Sequence, residues 1–266
     1  MSSGGPLFGK SILVTRPKGQ AASFVDRIEA VGGTVHLVPL IAFRSFEDDR
    51  KAERLKQLHT YDWIVLTSKN GVDFFFDHLE RAGIEWKEIR SRFAVIGPKT
   101  EAALKKYGFK AEYIPDKFSA DQFVKEISAG RFKTQRVLIP KGNLARAVIA
   151  KALREAGMTA EEWIVYETFF PEREKERLIR LLQREKLDVI TFTSPSSVRH
   201  FMETVQLVSD GSISHSLIAC IGPVTKQEAE KLGLRIDICP EVYTTDALVE
   251  EMIRYYRKDD HNGSTI

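Results

Sequence analysis

The chain has 266 residues, 40 basic and 37 acidic side chains and a formal net charge of +3, a balance that excludes a surface given over wholly to nucleic acid or anionic membrane. Its apolar fraction of 43% is enough for one large or two medium cores. Cys220 and Cys239 lack metal-ligand spacing, no apolar run approaches a bilayer span, and no leader pattern precedes the first strand, which together predict a protein of the reduced cytoplasm.

Met1 to Gly9, rich in Ser and Gly, is predicted to be a disordered lead. Ser11 to Thr15 is a short apolar run, followed by Arg16-Pro17-Lys18-Gly19 and then by Phe24, Val25, Ile28 and Val31 at helical spacing up to Gly32-Gly33; strand, anion-type loop, helix and stop follow in turn. Val35 to Pro39 resumes as a strand, giving a parallel βαβ unit with a right-handed crossover. Trp63 to Leu66 reads as a buried strand ending in Thr67-Ser68-Lys69-Asn70-Gly71, with Val72, Phe75, Phe76 and Leu79 marking the next helix face. Phe93 to Ile96, the Gly97-Pro98 turn, Thr100 and the stop at Gly108 repeat the unit. A further strand and a helix opened by a capping box at Ser119 to Gln122 close this half.

The same order then returns. Val137 to Ile139 leads into Pro140-Lys141-Gly142-Asn143, a helix to Gly157 and a strand through Ile164-Val165-Tyr166. Val189 to Phe192 leads into Thr193-Ser194-Pro195-Ser196-Ser197, and Leu217 to Ile221 into Gly222-Pro223, Thr225 and a helix stopped at Gly233. A last strand and a helix with cap residues Thr244 to Asp246 follow, with His261 to Ile266 as a frayed tail. Arg16 pairs with Lys141, Thr67 with Thr193, Gly97 with Gly222 and Asp121 with Asp246, offsets of 125, 126, 125 and 125. Nearly continuous apolar strands alternating with helices predict parallel sheets covered on both faces, which bind ligands at the strand C-terminal ends. All the repeated polar motifs fall at those ends.

No GxxxxGK[ST] or GxGxxG follows these strands, the six histidines lack HxxxH or HExxH spacing, and no GxSxG elbow is present, so nucleotide-driven chemistry, a catalytic metal and a serine nucleophile are not expected. There remain loops rich in hydroxyls and helix N-terminal N–H groups, with Arg16, Lys18, Lys69, Lys99, Lys141, Arg146, Arg199 and Lys226 at or near them; such loops attract anions. Ser68, Thr100, Ser194 and Thr225 serve equally well as plain helix caps. Tyr166 is either packing or a proton donor to a departing hydroxyl, since a phenol stays protonated at neutral pH. Cys220 and Cys239 read as core thiols, and Trp63, Phe74, Phe75, Phe76 and Trp163 as core or seam residues. A two-lobed small-anion sensor without chemistry fits the same pattern, as does a phosphosugar isomerase or glycosyltransferase.

Taken together, ILVTRPKGQ, IVLTSKNGV, AVIGPKT, IPKGN, IVYET, ITFTSPSSV, CIGPVT and TTDALVEEM resemble the uroporphyrinogen-III synthase family over Lys10 to Tyr256. The resemblance implies an α/β fold of two flavodoxin-like domains, their parallel sheets flanked by helices, joined by a two-stranded linker ladder of Leu40 to Ser45 with Tyr166 to Pro171. It implies crossed domains, 1–40 with 168–266 and 41–167, where repetition alone gives two contiguous halves. The implied reaction is a cofactor-free, cyclising hydro-lyase step of haem biosynthesis: hydroxymethylbilane loses its terminal hydroxyl as water, closes through a spiro-pyrrolenine and yields uroporphyrinogen III with ring D inverted. Tyr166 would assist hydroxyl loss. Arg16, Lys18, Ser68, Lys69, Asn70, Thr100, Lys141, Asn143, Arg146, Ser194, Ser196, Ser197 and Thr225 would hold the polycarboxylate, two sets of loops facing one cleft that closes on it. The implied protein is a monomer, in transient contact with the preceding pathway enzyme and with neither nucleic acid nor membrane.

Overall fold

Short runs of β-branched and aromatic residues set the strands, and after four of them a capping serine (Ser68, Ser194) or a Gly-Pro turn (Gly97, Gly222) starts the next helix. The computed structural model describes residues 4–208 and 213–262. In chain order the elements are β1 (Ser11–Val14), α1 (Ala22–Glu29), β2 (Thr34–Leu37), β3 (Ala42–Ser45), α2 (Lys51–Lys56), β4 (Trp63–Leu66), α3 (Lys69–Arg81), β5 (Arg92–Val95), α4 (Pro98–Lys105) and α5 (Ala120–Ser128). There follow β6 (Arg136–Gly142), α6 (Val148–Glu155), β7 (Thr159–Phe169), α7 (Glu172–Arg184), β8 (Val189–Phe192), α8 (Pro195–Val205), β9 (Leu217–Cys220), α9 (Pro223–Lys231) and α10 (Thr245–Asn262).

The chain divides into two compact units, residues 1–42 with 169–266 (unit 1) and residues 43–168 (unit 2). Unit 1 has the sheet order β2-β1-β8-β9, with Ile12 abreast of both Val35 and Val189, and Ile190 abreast of Ile218, all parallel. Unit 2 has the order β3-β7-β6-β4-β5, with β7, β6, β4 and β5 parallel. Without β3 the two orders are the same: an opening βαβ pair and then two more strands. Each opening pair completes the sheet built from the other repeat's later strands.

Both faces of each sheet are covered, as period-two alternation requires. In unit 1, Ile12 and Val14 pack with Phe24, Ile28 and Met252, while Leu13 packs with Leu178, Phe192 and Phe201. In unit 2, Val65, Val137 and Ile139 pack with Phe123 and Leu153, while Ile64, Leu66 and Leu138 pack with Phe75, Phe76 and Trp163. Of the segments expected as linkers, Ala42–Ser45 and the end of β7 to Phe169 are strand, β3 lying next to β7 at one side of the unit 2 sheet.

The predicted disordered lead is partly wrong. Leu7 is fully buried among Ile12, Phe24 and Ile28, and its N–H donates to Val31 O at 2.9 Å; an apolar side chain with room in the core gains more by docking than it loses in chain entropy. Residues 1–3 of the lead lie outside the described residues, as does the end of the expected tail beyond Asn262. The closing strand expected in each repeat shrinks to a single parallel bridge, Ala94 with Tyr113 and Ala219 with Ile238. Pro115 and Pro240 follow two residues on, and proline has no N–H with which to extend a ladder. The capping box at α5 is half formed: Ser119 accepts from Gln122 N at 3.1 Å, but the Gln122 amide donates to Glu126 at 2.8 Å.

Candidate functional site

In each unit the strand C-terminal ends hand over to helix N-termini. Ser68 caps α3, its Oγ accepting from Gly71 N at 3.0 Å, and Ser194 caps α8, accepting from Ser197 N at 3.2 Å. Ser197 is itself buried and donates back to Ser194 O at 2.7 Å. Gly97 and Gly222 precede α4 and α9 without a side-chain cap, each followed by proline at the first helical position. Thr100 and Thr225 are buried in the first turns of those helices. First-turn N–H groups lack intrahelical acceptors and the helix dipole is positive there, so each end attracts an anion.

Tyr166 stands at the end of unit 2's sheet, 9% exposed. Its phenol oxygen lies 3.4 Å from Ser68 Oγ. The Ser68 oxygen already accepts from the helix, leaving its own hydrogen to donate. The Tyr166 ring stacks on Phe74 (5.2 Å, 18°) and meets the edge of Phe43 (5.9 Å, 72°). Beside it the β6–β7 register slips, Lys141 lying abreast of Ile164 but Gly142 abreast of Tyr166.

The predicted cations have different settings. Arg16 is half-buried at the end of β1, its Nε sealed from solvent and without a hydrogen-bond partner, and burial holds its pKa below the usual arginine value. Lys18 is exposed in a short 3₁₀ turn. Lys69 is exposed and paired with Asp73 one turn on, and Asn70 is half-buried beside it. Lys141 is buried, its ammonium donating to Glu162 at 2.6 Å. Asn143 uses both ends of its amide on Thr168, donating to its O at 3.3 Å and accepting from its N at 2.9 Å. Arg146 pairs with Asp121 at 3.2 Å, and Ser196 accepts from Arg199 at 3.3 Å.

In the sequence Phe74 reads as core and Gly142 as one residue of a loop, yet both lie against Tyr166. The signal for Phe74 lay in the duplication: it falls six residues after the capping Ser68, and His200 falls six after the capping Ser194. His200 does the same work in unit 1, its ring stacked on Phe170 (5.0 Å, 10°) and its Nδ1–H donating to Leu40 O at 2.6 Å. Burial pushes the Cys220 thiol up to about 12, as an inert core thiol requires, and raises that of Cys239, which is half-buried and not in the core. Among the described residues no cluster of three or more His, Cys, Asp or Glu is placed to hold a metal ion, and no helix is long and apolar enough to cross a membrane.

A family model described as uroporphyrinogen-III synthase HemD matches residues 22–250. The chain is 34% identical over 238 residues to a uroporphyrinogen-III synthase of Chlorobaculum parvum, spanning 88% of this chain and 94% of that one. It is 31% identical over 262 residues to a uroporphyrinogen-III synthase of Synechococcus elongatus, spanning 95% and 98%. Its fold is similar to the crystal structure of a mutant uroporphyrinogen III synthase from Thermus thermophilus, with a TM-score of 0.68 at 16% identity over 94% of this chain and 100% of that one. The Helicobacter pylori uroporphyrinogen-III synthetase structure gives 0.60 at 16% identity over 92% and 99%. With a family model matched over most of its length, the chain belongs to the uroporphyrinogen-III synthase family.

Proposed function

We propose that this chain cyclises hydroxymethylbilane to uroporphyrinogen III, expelling water and inverting ring D through a spiro intermediate. The observation that carries the reading is the Tyr166 phenol next to Ser68 at the N-terminus of α3: a neutral proton donor set among groups that attract carboxylates. As the C–O bond of the terminal hydroxymethyl group breaks, the phenol hydrogen-bonds to the departing oxygen and passes it a proton, so that water leaves rather than hydroxide. The first turns at Ser68, Asn70 and Thr100 in unit 2, and at Ser194, Ser196, Ser197 and Thr225 in unit 1, hold carboxylates. Arg16, Lys18 and Lys69 add charge. Lys141 and Asn143 have internal partners and belong to the scaffold that carries these loops, while Arg146, exposed and paired at the surface as Lys69 is, adds charge as Lys69 does. Positioning supplies most of the selectivity, because a linear bilane released in water closes without inverting ring D. The reading includes a cytoplasmic setting and transient contact with the enzyme that supplies the bilane.

Incubation with hydroxymethylbilane followed by isomer analysis of the oxidised product tests this. Type III porphyrin in excess is the expected result. Type I alone, with the bilane bound but its fate unchanged, would make the protein an anion sensor. Tyr166→Phe is expected to lower kcat by about 10²-fold, the lower range for removal of a general acid.

A further inference from the structure

Side chains along a strand alternate between faces, and β7 obeys this until its last third. Glu161, facing Tyr61 and Arg54, is followed by Glu162, which turns the other way to Lys141 and Arg154. Trp163 and Val165 return to the face of Phe75 and Phe76. Tyr166 should then point away from them, yet it packs in that same cluster. The break coincides with the register slip. Regular pairing from Lys141–Ile164 would place Val165 beside Gly142, whereas Tyr166 stands there. A bulge adds one residue to a strand and so re-aims every side chain after it.

The space into which the ring turns exists because residue 142 has no side chain. A Cβ on Gly142 would lie 2.5 Å from Tyr166 Cζ, 2.7 Å from Cε2 and 2.8 Å from the phenol oxygen, all closer than non-bonded atoms approach. Gly142 is not among the residues with positive φ, so close approach, not backbone conformation, is what demands glycine here. The ring is also held by the stack on Phe74.

We propose that the β7 bulge, Gly142 and Phe74 form one positioning device that turns Tyr166 to the α3 face and fixes its phenol at the Ser68 cap, with Gly142 and Phe74 acting only through that ring. The proposal rests on the reading of Tyr166 as the proton donor. It accounts for a flat glycine surface at the end of β6, where the equivalent place in the first repeat carries Pro17: the first repeat has no phenol to seat.

The test is a double-mutant cycle of Gly142→Ala with Tyr166→Phe, read by kcat and KM separately, with thermal melts to confirm folding. Gly142→Ala alone is expected to lower kcat by about 10²-fold, the cost of misplacing a reacting group by roughly an ångström, with KM within about twofold. In the Tyr166→Phe background the same change is expected to add no further loss. An equal fall in both backgrounds, or undiminished kcat in the first, overturns the proposal. Phe74→Leu, which removes the stack without overfilling the site, gives a second cycle with the same expected pattern should Gly142→Ala fail to fold. If Tyr166→Phe itself turns over normally, the proton-donor reading is lost. The device is then judged by a crystal structure of Gly142→Ala: a displaced ring supports it and an unmoved ring overturns it.

Discussion

Arg16 and Lys141 hold equivalent places in the two repeats and live in opposite surroundings. Arg16 keeps a buried Nε without an internal partner, whereas the Lys141 ammonium is met by Glu162 at 2.6 Å. An unpartnered buried donor costs stability that a bound carboxylate restores. Arg16→Met is therefore expected to raise KM about tenfold, the worth of one charge-assisted hydrogen bond, while leaving the melting temperature unchanged or higher. Lys141→Met is expected to do the reverse, losing about 1–3 kcal/mol in urea denaturation by leaving Glu162 short of its partner, with KM unmoved. From sequence alone the two look alike, because Glu162 comes to Lys141 across a strand pair that the motif does not contain. Ser68 and Ser194 were legible as caps because a cap is local, fixed by three residues of chain. Phe74 and Gly142 were not, since their role depends on a ring that a register slip brings over from β7.

At the level of elements, α3 and α8 are variants of one design: a capping serine, and six residues later a ring laid on an aromatic of the chain segment 166–170. α3 adds a second tie to β7. His78 is fully buried against Trp163, with Nε2 donating to Val165 O at 2.9 Å and lying 3.2 Å from Ser45 Oγ, while Nδ1 has no partner. Burial is the main cause that holds its pKa below the usual 6.5. The folded state thus keeps a neutral ring where the unfolded chain binds a proton. As pH falls below about 6.5 the unfolded state gains protons and stability drops, until the folded state's own lower pKa is passed. Urea denaturation at pH 7.5 and 5.5 is expected to show this loss in the parent protein and a smaller one in His78→Leu, even though that variant is weaker at both pH values for want of the Val165 bond. Ser194→Ala is expected to cost about 1 kcal/mol through the lost cap. Apolar runs announced the inner strands plainly. The two closing strands did not survive because Pro115 and Pro240 cut their ladders to one bridge each, a limit set by the neighbouring strand as much as by the run itself.

For the whole molecule, the pairing of β3 with β7 means that unit 2 begins and ends on neighbouring strands. Residues 43–168 expressed alone are expected to fold with a single cooperative melt and a native-like near-ultraviolet spectrum, since both core clusters of unit 2 lie within that span. Repetition could not reveal the division at Ala42 and Phe169. The pairs β1-α1-β2 and β6-α6-β7 are alike enough that periodicity does not say which sheet each joins, and it was the family resemblance that pointed to crossing. That exchange has a mechanical consequence. The two repeats meet at Ser128 to Arg131, a solvent-exposed stretch open to proteolysis. A cut there leaves two fragments, each owning part of both sheets: the first supplies β1 and β2 to unit 1 with β3, β4 and β5 to unit 2, and the second supplies the rest. The nicked protein should therefore migrate at its full size in gel filtration and come apart only in denaturant, two peptides interlocked like clasped hands without a covalent link.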